Sequence, residues 1–176
     1  MKYVALLRGV NVGGRNKVGM KQLAEAMEKD EFQDVSTYIN SGNILFDSQE
    51  NPAKLVEKLE KLIESEFDLK IKVLLRNKNN INKVASAIPA DWKNGKEMKC
   101  DVMFLWDKYD NKDVLNKLTI KPEVDIVRYV DGVIIWKVDR ENAGKSGMMK
   151  LPGTELYGHM TIRNCNTLRK IQARMD

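Results

Sequence analysis

Val35-Ser-Thr-Tyr-Ile-Asn-Ser-Gly-Asn-Ile-Leu-Phe46 reads as two strands folded back on one another, Val35–Ile39 and Ile44–Phe46. The link between them, Asn40-Ser41-Gly42-Asn43, holds the residue types that accept a tight turn. Working outward, Met20, Leu23, Ala24 and Met27 recur at the spacing of one helical face on the N-terminal side. On the C-terminal side Asn51 and Pro52 suit a helix cap and first helical position. Leu55, Val56, Leu59, Leu62, Ile63 and Phe67 then repeat at helical spacing. The apolar run Lys2–Leu7 predicts a buried strand before the first helix, and residues 70–76 predict another after the second. The resulting order, βαββαβ, is that of a ferredoxin-like unit.

The second half repeats the order without visibly repeating the sequence. Asn79–Ile88 predicts a short helix ended by Pro89, and Asp91–Lys99 a polar connector. Asp101–Trp106 predicts a strand and Asp110–Leu118 a helix with Val114, Leu115 and Leu118 inward. Asp125–Val130 and Val133–Val138 predict a hairpin, because Asp131-Gly132 accepts the positive φ angles of a type I′ turn. Beyond Asp139 the chain is polar and Gly-rich as far as Gly158, with a short helix expected near 140–148. A terminal helix over 164–175 aligns Cys165, Leu168, Ile171 and Met175. The fold class is therefore α+β, with two ferredoxin-like (βαββαβ-type) halves packed into one compact unit. Their expected extents are residues 1–78 and, with the C-terminal helix, 79–176; a single domain is the other reading. A boundary would lie within residues 77–99.

Composition narrows the class of protein. With 43% apolar and 31% charged residues the chain is that of a globular protein rather than a disordered one. Its longest apolar runs, such as Val102–Trp106, fall far short of the roughly 20 residues of a spanning helix. Arg8 interrupts the apolar start, which argues against a signal peptide. Cys100 and Cys165 lie 65 positions apart without metal or CxxC spacing, and two reduced thiols in a cytoplasmic protein are expected. The net charge of +5 is unevenly spread. Residues 1–22 carry five bases and no acid, and residues 142–176 six bases against two acids. If the ends meet in the fold they build a positive surface that attracts anions; scattered solvated charge is the other reading.

Three polar segments stand out. Leu6-Leu-Arg-Gly-Val-Asn-Val-Gly-Gly-Arg-Asn-Lys17 carries a strand into a Gly-rich loop and then a helix, the order from which phosphate cradles are built. Gly9 and Gly14 have the spacing that opens a Walker A loop. Arg15 and Asn16 then stand where lysine and a hydroxyl residue are needed. The dinucleotide pattern fails too, since Asn11 fills the middle glycine position. What remains is a loop able to approach an anion or another strand closely, or an ordinary connector. Gly144-Lys145-Ser146 is a weaker coincidence, because Asp139 stands where Walker A has its first glycine. Ser41 sits in a turn that lacks the GxSxG elbow, and the single His159 anchors no metal set. In Thr161–Ile171, Thr161 or Asn164 can cap the terminal helix, and Arg169, Lys170 and Arg174 suit its C-terminal end. That leaves Arg163, Asn164 and Asn166, a base among amides suited to an anion or a base edge.

Leu6–Gly14, Thr37–Asn43 and Thr161–Thr167, in that order, resemble the signature segments of bacterial domain-of-unknown-function family number 1697. The resemblance covers nearly the whole chain. It implies a cytosolic protein of two ferredoxin-like halves with no assigned reaction, cofactor or partner. An aromatic residue often fills the position of Cys165 in that family, and the departure here weakens any stacking role at the site.

The residues favour a cytoplasmic protein that binds an anionic partner, nucleic acid or a phosphorylated small molecule. The candidate ligand contacts are Arg8, Asn11, Gly13, Gly14, Asn40, Ser41, Gly42, Asn43, Arg163, Asn164 and Asn166. An RRM-type RNA platform is not among the expectations, since no segment matches the RNP signature. Two other readings stay open. One is an enzyme on a small carboxylated or phosphorylated substrate, with Lys17, Lys145 or His159 as base. The other gives the three segments a purely structural role. None of these requires a metal, cofactor or membrane.

Overall fold

The computed structural model describes residues 1–176 and contains eight strands and four α-helices. The chain divides into two units, Met1–Ile81 with Ile171–Asp176, and Asn82–Lys170. The division falls three residues beyond the expected break at 78, and the last six residues return to the first unit. Each unit is an α+β half that resembles the ferredoxin-like topology.

In the first unit β1 (Lys2–Leu7), β2 (Gln33–Tyr38), β3 (Asn43–Asp47) and β4 (Val73–Asn77) form an antiparallel sheet in the order β2-β3-β1-β4. Lys2 pairs with Asp47 and Ala5 with Ile44 on one side of β1, and Ala5 with Leu75 on the other. A central strand must bury both faces, which is why β1 is an unbroken apolar run. Tyr3, Ala5, Leu7, Ile44, Phe46 and Val73 pack beneath Leu23 and Met27 of α1 (Met20–Lys29) and Leu55, Leu59 and Ile63 of α2 (Pro52–Phe67). The Asn51 side chain accepts the Ala53 N–H at 2.9 Å and starts α2 as the sequence predicts. Asp68 ends it in the left-handed conformation. Glu60 on α2 then accepts the Val73 N–H at 3.0 Å, which ties β4 to the helix.

In the second unit β5 (Met98–Leu105), β6 (Asp125–Val130), β7 (Val133–Asp139) and β8 (Met160–Asn164) repeat the antiparallel order as β6-β7-β5-β8. Asp131 and Gly132 turn the predicted hairpin with φ of 38° and 76°. The α-helix expected over Asp110–Leu118 is absent; 3₁₀ turns at Asp107–Tyr109 and Lys112–Lys117 replace it. Nine residues are marginal for a helix, and the Tyr129 hydroxyl captures the Asp110 carboxylate outside it. Between Arg140 and His159 the chain forms three further 3₁₀ segments, not one short α-helix. Gly144, Gly147, Pro152, Gly153 and Gly158 interrupt longer helix there. Ser146 and Thr154 cap the second and third of these segments by accepting the Met148 and Tyr157 N–H groups.

Strand β8 lies in a stretch expected to be loop and helix cap. It pairs along β5 from Asp101–Asn164 to Leu105–Met160. The terminal helix, α4, runs Cys165–Arg174, and Asn164 caps it by accepting the Thr167 N–H at 2.9 Å. The remaining helix, α3, is Lys78–Ser86. No helix is long and apolar enough to cross a membrane.

Candidate functional site

The first two polar segments meet in the first unit, because β1 and β3 are neighbours and their loops leave the same end of the sheet. Asn11 ties them together. Its amide oxygen accepts the Val18 N–H at 2.9 Å, and its amide nitrogen donates to the carbonyls of Val18 (2.9 Å) and Asn40 (2.8 Å). Residues 11–16 thereby form a small hairpin finger. The Asn11 N–H reaches the Asn16 carbonyl, and the Arg15 N–H the Val12 carbonyl, each at 3.0 Å. Gly13 and Gly14 make its tip with φ of 56° and 75°. Val10 and Val18 are buried at its base, and the Asn16 amide donates to the Gly9 carbonyl at 3.0 Å. The Arg8 N–H joins the loop to the Lys72 carbonyl at 3.0 Å.

Beyond that base Val12, Gly13, Gly14, Arg15 and Lys17 are exposed. Neither Arg15 nor Lys17 takes part in an ion pair. The turn on the far side is internally bonded: the buried Asn43 amide donates to the Tyr38 carbonyl (2.9 Å) and the Ser41 hydroxyl (3.1 Å). Gly42 accepts the Leu7 N–H at 2.8 Å. Ile39, just before this turn, has φ of 49° with its side chain 49% exposed. A β-branched residue in that conformation is strained.

The C-terminal bases enter the same unit through Arg174. Its guanidinium lies 4.8 Å over the Tyr38 ring and donates to the Thr37 carbonyl at 3.2 Å. Of the C-terminal bases only Arg174 belongs to the first unit, and Tyr38 with Arg174 stands two residues from the carbonyl that holds the finger. In the sequence Arg174 suits the C-terminal end of a helix, since nothing local signals a partner 137 residues away.

The third segment belongs to the second unit, and internal bonds engage its polar atoms. Arg163 is buried; its guanidinium donates to the Thr161 hydroxyl (3.0 Å) and the Ile162 carbonyl (2.8 Å). Desolvation lowers its pKa to about 10. Asn164 is the helix cap, and Asn166 holds the backbone of Asn94, accepting its N–H at 3.1 Å and donating to its carbonyl at 2.8 Å.

A cavity of about 230 Å3 in the second unit was not foreseen; it is lined by residues including Lys99, Asp101, Met103, Met148, Tyr157 and Ile162. Burial raises the Asp101 pKa, against the opposing pull of Lys99 at 3.3 Å. Its lining comes from strands β5 and β8 and the 3₁₀ segments, which no single stretch of sequence displays.

Two α+β units, each with a 2-3-1-4 antiparallel sheet, define the class to which this chain is assigned by fold. Residues 1–136 match the family described as "Protein of unknown function (DUF1697)", and the chain belongs to that family. It is also similar to a solved structure, described as that of the conserved bacterial protein SP0830 from Streptococcus pneumoniae. The two share 30% identity over 99% of this chain and 98% of that one, with a TM-score of 0.85. Comparison with curated proteins returns no match.

Proposed function

We propose that the first unit binds an anionic partner, with nucleic acid the favoured one, through the finger at residues 8–17 and the neighbouring Tyr38–Arg174 pair. The observation that carries this reading is the finger itself. Arg15 and Lys17 project without carboxylate partners from a hairpin that Asn11 anchors at both ends of its amide. A cation with no internal partner is available to phosphate, and a rigid support lowers the cost of ordering it. Gly13 and Gly14 let a phosphate come close to the backbone, Arg8 adds charge at the root, and the Tyr38–Arg174 pair adds an aromatic ring and a cation beside it. Asn11, Asn40, Ser41, Gly42 and Asn43 support the finger, and Arg163, Asn164 and Asn166 organise the second unit. The two thiols are in keeping with a reducing compartment, and we propose the cytoplasm as its location.

The test is fluorescence anisotropy with single-stranded RNA and duplex DNA across a salt series. Binding that weakens steeply with salt is expected. The pair Arg15→Gln and Lys17→Gln should reduce the slope of log K against log salt for the single strand by about 1.4, since each phosphate contact contributes roughly 0.7. Absence of binding to any nucleic acid at low salt overturns the nucleic-acid reading.

The cavity beside Asp101 favours a second reading, a small-molecule site. Met103, Met148, Met149, Leu151, Pro152 and Ile162 make its lining mostly apolar, and Lys99 is already paired, so a mostly apolar ligand suits it better than a carboxylated or phosphorylated substrate. A fragment screen by thermal shift, repeated on Met103→Phe to fill the cavity, separates this reading from the first.

A further inference from the structure

The chain has two cysteines, and the fold of the second unit brings them together. Asp101 on β5 pairs with Asn164 on β8. That pair is the last of the ladder; Cys100 directly precedes Asp101, and Cys165, the first residue of α4, directly follows Asn164, so the two cysteines flank the same end of it. Cα atoms of a ladder pair such as Asp101 and Asn164 lie about 4.5–5.5 Å apart, so the residues that flank it leave from a spacing close to the range a disulfide bridges. The two thiols influence each other's titration: Cys165 together with burial pushes the Cys100 thiol up, and Cys100 from the other side holds the Cys165 thiol below its ordinary value against the opposing effect of burial. Arg169, one turn along α4, adds a favourable charge for the Cys165 thiolate.

Both side chains are buried, and the segment Pro89–Glu97 contacts both residues. The Cys165 thiol reaches the Trp92 carbonyl at 3.7 Å, and the Asn94 side chain accepts the Cys100 N–H at 3.3 Å. That segment is held down from α4. Asn166 takes both polar groups of the Asn94 backbone, while Arg169 donates to the carbonyls of Trp92 (2.6 Å) and Pro89 (2.8 Å).

We propose that Cys100 and Cys165 form a reversible dithiol–disulfide pair, oxidised by a hydroperoxide when the 89–97 segment lifts. The Cys165 thiolate attacks the peroxide; the O–O bond breaks, an alcohol or water departs, and a sulfenic acid forms on Cys165. The Cys100 thiol attacks that sulfur, and its proton leaves with the hydroxide as water. Two thiols lose two electrons and two protons to form one S–S bond, and the peroxide is reduced. A small dithiol reverses the change. This proposal stands apart from the binding reading of the first unit, and it fails or succeeds without it.

The experiment treats the folded protein with hydrogen peroxide, quenches with an alkylating agent in denaturant and reads the products by mass spectrometry. An intramolecular Cys100–Cys165 crosslink that dithiothreitol removes is the expected result. In Cys100→Ser, Cys165 should be trapped as a sulfenic acid adduct by dimedone. Asn166→Ala removes two bonds from the covering segment and should speed crosslinking about tenfold, the ratio that 1.4 kcal/mol of easier opening produces. Two thiols that stay reduced, or crosslinks only between molecules, overturn the pair. An unchanged rate in Asn166→Ala overturns the gating by that segment.

Discussion

Gly42 and Gly13 both have positive φ, at 80° and 56°, yet substitution should affect them differently. A Cβ on Gly42 would lie 2.7 Å from Leu7 Cβ and from Val10 Cγ2, whereas one on Gly13 meets nothing within 4 Å. Gly42→Ala adds overpacking to left-handed strain and should cost about 3 kcal/mol. Gly13→Ala bears the strain alone and should cost about 1 kcal/mol. Urea midpoints of the two variants check the difference; equal losses would show that the turn relaxes around the new methyl. The glycine-rich character of both segments is visible in the sequence. Which glycine is sterically obligatory is not, because Leu7 and Val10 meet Gly42 only through the pairing of β1 with β3.

At the scale of elements, one buried carboxylate holds the irregular part of the second unit. Asp125 accepts the Ser146 hydroxyl at 2.5 Å and the N–H groups of Gly147 and Lys121 at 2.9 Å each. Burial alone would raise its pKa; the bonds from Ser146, Lys121 and Gly147 outweigh it, and the carboxyl titrates below its ordinary value. A depressed pKa in the folded state means stability that is complete above the unfolded value, about 3.9, and lost as pH falls through the folded one. Asp125→Asn should cost about 3 kcal/mol at neutral pH, because its amide N–H groups face donors. It should also flatten the acid limb of a plot of stability against pH below about 4. An unaltered acid limb would assign acid unfolding to other carboxylates. Asp125 is legible from sequence as the start of a strand. Its bond to a hydroxyl 21 residues away is not, since Ser146 lies beyond the hairpin and inside the 140–148 stretch expected to be one short helix.

At the scale of the molecule, the chain's last six residues belong to the unit with which it begins. Ile171 and Met175 are fully buried, and Arg174 packs on Tyr38. Deleting residues 171–176 should therefore destabilise the first unit by roughly 4 kcal/mol or more, from the loss of two large core side chains. Thermal unfolding measures it; a loss below about 1 kcal/mol would show that the tail is dispensable. By itself the sequence determined the α+β class, the first βαββαβ order, the Asn51–Pro52 helix start and the Asp131-Gly132 hairpin, together with the basic ends. These are read locally because periodicity, caps and turn residues act over a few positions. Tertiary structure alone decided that Met160–Asn164 is a strand, since its buried Thr161 and Arg163 hide the apolar alternation that marks one. It also decided that Asn11 serves two loops, that Arg174 returns to Tyr38, and that two cysteines 65 positions apart become neighbours. Each depends on contacts between segments distant along the chain, and no short window of sequence contains both partners.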